Sequence, residues 1–278
     1  MSEDQRRSRT PKDAAHRVAV LGAFTLTAPT GPVALGADAR RLVAYLAVHP
    51  RPQRRDALAA DLWPGLAAAA ARRLLDDAVA ALDVPGLLDE GADGTLALAA
   101  DVAVDLTEAL ALVRGLPALP GTEDVDLALL DADILPGWTA GWIVVERERF
   151  RQLRLHALEE RSARLSAAGR HDEAVAVARR AVRTAPSRES ARRAVVTALL
   201  AAGDIAGALD EQDAYQELLR SSVGAAPHFG GSLLPPAPAW PVVRARAVMP
   251  RSAVQLPGLR SVRSSGGRRL VAGGSSRH

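Results

Sequence analysis

Two copies of one pattern stand at residues 165–174, LSAAGRHDEA, and at residues 199–208, LLAAGDIAGA. In both, a leucine precedes two alanines and a glycine, and a further alanine follows, at an offset of 34 residues. Small residues allow two helices to pack closely, and the glycine turns the chain between them. The pattern therefore predicts repeated pairs of helices in this part of the chain.

A period of 34 residues is typical of tetratricopeptide repeats. Pro186 falls where one unit would end, and the pattern is helical throughout after Asp105. We therefore predict an all-α, tetratricopeptide-like domain over residues 106–229. Two units leave an extended face, which suits a protein surface better than a small molecule.

The sequence ahead of the repeats begins with a strand pattern. Residues of one parity between positions 18 and 27 are apolar, namely Val18, Val20, Phe24 and Leu26. This alternation predicts a half-buried strand, in which Gly22 could form a bulge. Residues 29–32 then turn the chain, and residues 33–35 predict a second strand.

Three helices and a hairpin are predicted next. The first helix ends near Pro50, the second runs from about Arg54 to Trp63, and the third follows Gly65 and ends at Pro85. Two short apolar runs around a glycine-containing turn at residues 91–94 then predict the hairpin, which would form a wing.

This order of elements is that of a winged-helix domain, which we predict over residues 17–105. In such a domain the third helix can enter a DNA major groove, while the wing reaches the neighbouring backbone. The expected fold class is therefore mainly α, with an N-terminal α+β winged helix followed by all-α repeats.

The net charge of +3 is distributed unevenly along the chain. Residues 226–278 contain eight arginines and no acidic residue, whereas residues 18–225 carry a net charge of −7. Residues 230–278 are rich in Pro, Gly, Ser and Arg, so we expect a disordered tail there, and a disordered start over residues 1–16. The basicity of the chain is thus concentrated in segments that are not expected to fold.

Several classes of function are not expected from this composition. The chain has no cysteine, which fits a reducing, cytoplasmic compartment, and it has neither an apolar run of membrane-spanning length nor an apolar leader. Its six histidines form no zinc motif, and neither a phosphate-binding loop with lysine nor a nucleophile elbow occurs. We therefore expect no enzyme, no cofactor, no metal and no membrane association.

Three stretches resemble a known family. They are residues 17–26, residues 50–64 with the ending DLWP, and residues 135–154, which contain LPGW and ERERFRQLR. In them the chain is similar to the bacterial transcriptional activator domain regulators, which are related to the antibiotic regulatory proteins of actinobacteria. The resemblance covers roughly residues 17–225. It implies cytoplasmic control of transcription at promoter DNA, with self-association or contact with RNA polymerase.

Four arginines of the predicted winged helix are candidate DNA contacts. Arg72 and Arg73 lie in the first half of the third helix, where side chains reach base edges or phosphates, and Arg54 and Arg55 begin the second helix. Alternatively, Arg72 and Arg73 pair with acidic residues four positions later on an ordinary exposed face, and Arg54 and Arg55 are solvated charges. Arg40 and Arg41 are weaker candidates. Three tryptophans are expected to pack in the core rather than to stack on bases: Trp63, Trp138 and Trp142.

The predicted third helix departs from the family pattern in its charge. It carries Asp76, Asp77 and Asp83, and residues 18–105 contain seven arginines against eleven acidic residues, a net charge of −4. Acidic residues near phosphates lower the affinity for DNA. Two hypotheses therefore stand: a DNA-binding transcription regulator, or a protein-interaction module that keeps a degenerate winged helix and acts through its repeats.

Overall fold

The computed structural model describes residues 16–223 and Leu233. Within this range the strands are β1 (His16–Ala19), β2 (Thr25–Ala28), β3 (Gly31–Pro32), β4 (Gln53–Arg54), β5 (Leu88–Glu90), β6 (Thr95–Leu98) and β7 (Val102–Val104). The helices are α1 (Ala37–Val48), α2 (Arg55–Leu62), α3 (Ala68–Ala80), α4 (Asp105–Gly115), α5 (Gly141–Ala167), α6 (His171–Thr184), α7 (Glu189–Ala201) and α8 (Ile205–Val223). The fold is mainly helical with small sheets in its N-terminal part, as the sequence predicts.

The first sheet has the strand order β3-β2-β1-β7. β1 and β2 form an antiparallel hairpin, so the prediction of one continuous strand over residues 18–27 is wrong. Its burial pattern is nevertheless observed, because Val18 lies opposite Leu26 and both side chains are buried. The strand predicted at residues 33–35 is also wrong, since β3 comes before it and pairs with the end of β2.

The second sheet, β4-β6-β5, contains the wing. The predicted hairpin is confirmed: β5 and β6 are antiparallel, and the Gly91 N–H donates to the Thr95 carbonyl oxygen over 2.9 Å. Helices α1 to α3 also lie where the sequence predicts them. β4 and β7 were not predicted, because two or three residues are too few to show an alternation.

Helix α1 is shared between two apolar cores. Leu42, Tyr45 and Leu46 pack with residues of α2, α3 and β6. Val43 and Ala47 belong instead to a core that also contains residues of the first sheet and of α4 to α8. Helix α1, with two buried faces, thus connects the helix-turn-helix formed by α2 and α3 to the rest of the fold.

The helices of the repeat region pack in sequence order, α5 on α6, α6 on α7 and α7 on α8. The expectation that the chain is helical throughout after Asp105 is wrong for residues 119–140. They are irregular apart from a short 3₁₀ turn at Ala128–Leu130 and an isolated antiparallel bridge between Ile134 and Leu21. This segment, which we call the connector, joins α4 to α5. Its N-terminal side follows another 3₁₀ turn, Leu116–Ala118.

The two predicted turns between helices are confirmed. Gly169 has a φ of +77°, and Gly203 has a φ of +80°. In the first turn the Arg170 N–H donates to the Leu165 carbonyl oxygen over 2.9 Å, and Asp204 and Leu199 repeat that bond at 2.9 Å in the second. This arrangement is a Schellman motif, in which a left-handed glycine ends the helix at little steric cost.

Two expectations concern segments at the ends of the chain. The tail predicted over residues 230–278 lies outside the described residues apart from Leu233, which is buried and whose N–H donates to Gln212 Oε1 over 2.7 Å. The start predicted over residues 1–16 lies outside them too, except that His16 belongs to β1. Among the described helices, none is both long enough and apolar enough to cross a membrane.

Candidate nucleic-acid interface

The helix-turn-helix is held together by an apolar core beneath α3. Ala71, Leu75 and Ala78 recur at helical spacing on α3 and are buried against α1, α2 and β6. Burial of this stripe directs the opposite face to solvent, where Arg73, Asp76 and Asp77 are exposed. The exposed face of α3 therefore carries charges of both signs.

Two of the four candidate arginines lie in one cluster of ion pairs. Its members are Arg55, Asp56, Arg72, Asp76 and Glu90, which we call the charge network. Arg55 lies 3.0 Å from Asp76 and 2.9 Å from Glu90, so it connects α2 to α3 and to the wing strand β5. Arg72 pairs with Asp56 across the two helices and lies 3.6 Å from Asp76 on its own helix.

The two arginines of the charge network differ in exposure. The side chain of Arg55 is only 15% exposed, whereas that of Arg72 is 39% exposed and its partner Asp56 is 83% exposed. With two guanidinium groups and three carboxylates, the network carries a net charge of −1. The pairing of Arg72 with Asp76 was one of the alternatives that the sequence left open.

The other two candidates, Arg54 and Arg73, are exposed at the surface. Within residues 16–223 neither has a hydrogen-bonding or ion-pairing side chain as a partner, so the pairing of Arg73 with Asp77 is not observed. Arg54 lies on β4 beside the wing turn. Hydrogen bonds from the Thr95 hydroxyl and N–H lower the pKa of Asp93 in that turn, and the charge of Arg54 lowers it further.

The two weaker candidates, Arg40 and Arg41, and the three tryptophans make packing contacts within the fold. Arg41 donates to the Leu62 carbonyl oxygen over 3.3 Å, and the Arg40 guanidinium lies 5.8 Å from the centre of the Trp138 ring. Trp142 meets the Tyr45 ring edge-on at 5.1 Å. The buried Trp63 donates to Asp38 over 3.3 Å. Each of the three predicted core tryptophans thus packs between elements.

A second group of arginines, on α5, was not recognised as a group from the sequence. Arg147, Arg154 and Arg161 recur every seven residues along α5, which places them near one face of the helix. All three donate to backbone carbonyl oxygens of the connector, and we call them the clamp arginines. The spacing of seven residues can be seen in the sequence. The sequence does not show that these arginines bind the connector.

Each clamp arginine holds a different part of the connector. Arg147 donates from Nε to the Ile134 carbonyl oxygen over 2.7 Å and also bonds the carbonyl oxygens of Leu135 and Trp138. Leu135 is the one non-glycine residue with a positive φ, 40°, within the described range. A backbone bend that costs free energy is therefore held by a planar, multiply donating side chain.

Arg154 is the most deeply buried of the clamp arginines. It donates to the Ala132 carbonyl oxygen over 2.6 Å and to that of Leu130 over 3.2 Å, and it pairs with Asp133. Burial lowers the pKa of its guanidinium, and the nearby Asp133 charge opposes that shift. Because an irregular segment lacks its own ladder of hydrogen bonds, these donors satisfy its buried carbonyl groups.

The sequence model of the family described as bacterial transcriptional activator domain matches residues 82–229, more than half of the chain. The chain belongs to this family. This membership agrees with the family that the sequence resembles. No curated protein shows significant similarity to the chain.

One solved structure supports the fold of this bacterial transcriptional activator domain protein. EmbR of Mycobacterium tuberculosis, in complex with a low-affinity phosphopeptide, matches it with a TM-score of 0.55 at 20% sequence identity. The match covers 78% of this chain and 62% of EmbR, so the chain spans less than two thirds of that protein. At this identity the likeness concerns the fold alone.

The family match begins at Leu82, just after α3. It therefore includes the wing, the connector, the clamp arginines and the helical repeats of this bacterial transcriptional activator domain protein. The four candidate DNA contacts lie outside it. In the described part of the chain, no group of three His, Asp or Glu side chains is arranged to hold a metal ion.

Proposed function

We propose that this protein is a cytoplasmic, DNA-binding regulator whose winged helix docks on promoter DNA. The proposal is supported by the positions of three arginines on the helix-turn-helix of α2 and α3 and beside the wing. Arg54 and Arg73 are exposed there, and the side chain of Arg72 is 39% exposed. Side chains at these places on a winged helix face the major groove and the flanking phosphates. In this proposal the winged helix spans residues 17–105 and the repeat domain residues 106–229.

The ion pairs of Arg72 are compatible with DNA binding. Exposed pairs contribute only about 0–1 kcal/mol, because water screens them and holding two long side chains costs entropy. A DNA phosphate can therefore replace the 83% exposed Asp56 as the partner of Arg72. Arg55 is mostly buried between two carboxylates, so in this proposal it positions α2 against α3 and the wing rather than contacting DNA.

The repeat domain would supply self-association or contact with RNA polymerase. Helix α8 ends the described repeats and exposes Ile205, 64% accessible, with the exposed Leu209 one turn later. Two apolar side chains at this spacing form a small docking stripe for another helical surface. Their replacement by serine tests this role through the oligomeric state and through capture of purified RNA polymerase.

The DNA proposal is tested with duplexes selected from random sequence by the full-length protein. Binding of the best duplex is then measured over a series of salt concentrations. For the variant R72A/R73A we expect weaker binding and a salt slope reduced by about 2, since each lost phosphate contact removes about 0.9 from the slope.

A matched control variant is R193A/R179A on the repeat helices. Arg193 pairs with Glu189 at a spacing of four, as Arg72 does with Asp76, and Arg179 is exposed without an ion pair within residues 16–223, as Arg73 is. Both variants lose two charges from the same chain, and both keep the basic tail. If the two variants weaken DNA binding equally, the DNA responds only to the overall positive charge of the protein, and the proposal would be wrong.

The alternative is a protein-interaction module that no longer contacts DNA. The charge network has a net charge of −1, and residues 18–105 have a net charge of −4, which favours this alternative. Under this alternative no duplex is enriched during selection even at low salt, and R72A/R73A binds DNA as the unaltered protein does. The I205S/L209S variant would still lose self-association or the contact with RNA polymerase.

A further inference from the structure

A cavity of about 350 Å³ opens between the winged helix and the repeat domain. It lies where the end of α1 and the chain after it meet α4, the connector and α5. This volume is within the range of small-molecule sites, about 300–1,000 Å³. The cavity is separate from the exposed face of α3 and from the α8 stripe.

The floor of the cavity is apolar. Leu106 and Leu110 line it from α4, Ile134 from the connector, and Phe150 from α5. Leu106, Ile134 and Phe150 are buried, so their positions are fixed by packing. An apolar ligand body that displaces water from this floor gains free energy with its buried area.

The charged residues that line the cavity are Arg51, Arg114, Arg149 and Glu146, with a net charge of +2, and we call them the rim. Arg51 and Arg114 have no carboxylate partner in the part of the chain that the structure describes. Arg149 lies 3.8 Å from Glu146, and its side chain is 72% exposed. Unlike the clamp arginines, which bind carbonyl groups, these guanidinium groups remain available to an anion.

We propose that this cavity binds a small amphipathic anion, with an apolar body on the floor and one carboxylate at the rim. Guanidinium groups match a carboxylate in shape and charge, and such charge-assisted hydrogen bonds are stronger than neutral ones. The ligand would contact α1, α4 and α5 together. The proposal is independent of DNA binding by α3.

The test uses the full-length protein and decanoate as the probe, with 1-decanol as its uncharged counterpart, in isothermal titration calorimetry below the micellar concentration. Decanoate is expected to bind at least about tenfold more tightly than 1-decanol, because only the carboxylate engages the rim. Decanoate should also raise the melting temperature, since it binds the folded state.

Two variants locate the site. R114A/R149A removes exposed rim charges and is expected to weaken decanoate binding at least about tenfold, with little change for 1-decanol. R179A/R193A removes two arginines that do not line the cavity and is expected to bind as the unaltered protein does. L110W fills the floor and should abolish binding of both probes; if this variant does not fold, the rim variant still decides.

Three results would overturn the proposal. They are equal binding of decanoate and 1-decanol, equal binding of decanoate by R114A/R149A and R179A/R193A, and no binding of decanoate at any concentration below that at which it forms micelles. Because none of these measurements includes DNA, they leave the promoter proposal unaffected.

Discussion

The clamp arginines on α5 and the arginines of the helix-turn-helix have the same side chain in opposite settings. Arg154 is buried and donates to the carbonyl oxygens of Leu130 and Ala132. Arg72 faces the exposed carboxylate of Asp56, which water solvates equally well. The comparison shows that exposure of the partner, rather than the presence of a bond, decides whether an arginine supports the fold or is free to bind a ligand.

The largest expected effect is on stability, for Arg154→Ala. Removal of this side chain takes the donor away from the carbonyl groups of Leu130 and Ala132 and from the Asp133 carboxylate. We expect the free energy of unfolding to fall by about 3 kcal/mol. Urea unfolding followed by circular dichroism measures it, with Arg179→Ala as the exposed control. A loss as small as that of the control would remove the distinction between the two groups of arginines.

Arg55→Ala tests an intermediate case, because this arginine is mostly buried but pairs with exposed carboxylates. Its loss releases the wing from α2 and α3, and we expect a decrease of about 1 kcal/mol in the free energy of unfolding. The same urea titration shows it. If the free energy of unfolding falls as much as for Arg154→Ala, burial of the arginine alone, and not exposure of its partner, determines the loss of stability.

Asp76→Asn and Asp77→Asn address the acidic face of α3 through DNA binding. Each change removes a negative charge, which at about 8 Å from a phosphate in water is worth about 0.5 kcal/mol. We expect binding of the selected duplex to tighten about twofold for each change, and less at high salt. Unchanged binding at every salt concentration would place α3 away from the DNA.

The smallest expected effect is that of Arg73→Ala on stability. Its side chain is exposed and has no ion pair among the described residues, so the free energy of unfolding should change by less than about 0.5 kcal/mol. The same variant should weaken DNA binding. If the variant loses stability as well as DNA binding, Arg73 supports the fold as the clamp arginines do. The distinction between the two groups of arginines would then fail.

Elements whose signals are local can be predicted from the amino-acid sequence alone. The turns at Gly169 and Gly203, the three helices after residue 36 and the wing hairpin all follow from apolar spacing, small residues and glycines within a few positions of one another. Such patterns act over one or two helical turns. For this reason the helical pairs at the period of 34 residues could be recognised without a structure.

Contacts between residues that are distant in the sequence are seen only in the folded structure. β7 pairs with β1 across about 85 residues, Arg154 reaches carbonyl groups more than 20 positions earlier, and Arg55 meets the wing at Glu90. The connector is likewise held by side chains of α5, and its own sequence has no helical or strand periodicity that would predict its conformation. The physical reason is that a hydrogen bond or an ion pair depends on distance in space, and no periodicity along the chain records which carboxylate or carbonyl group will lie opposite a given arginine once the helices have packed.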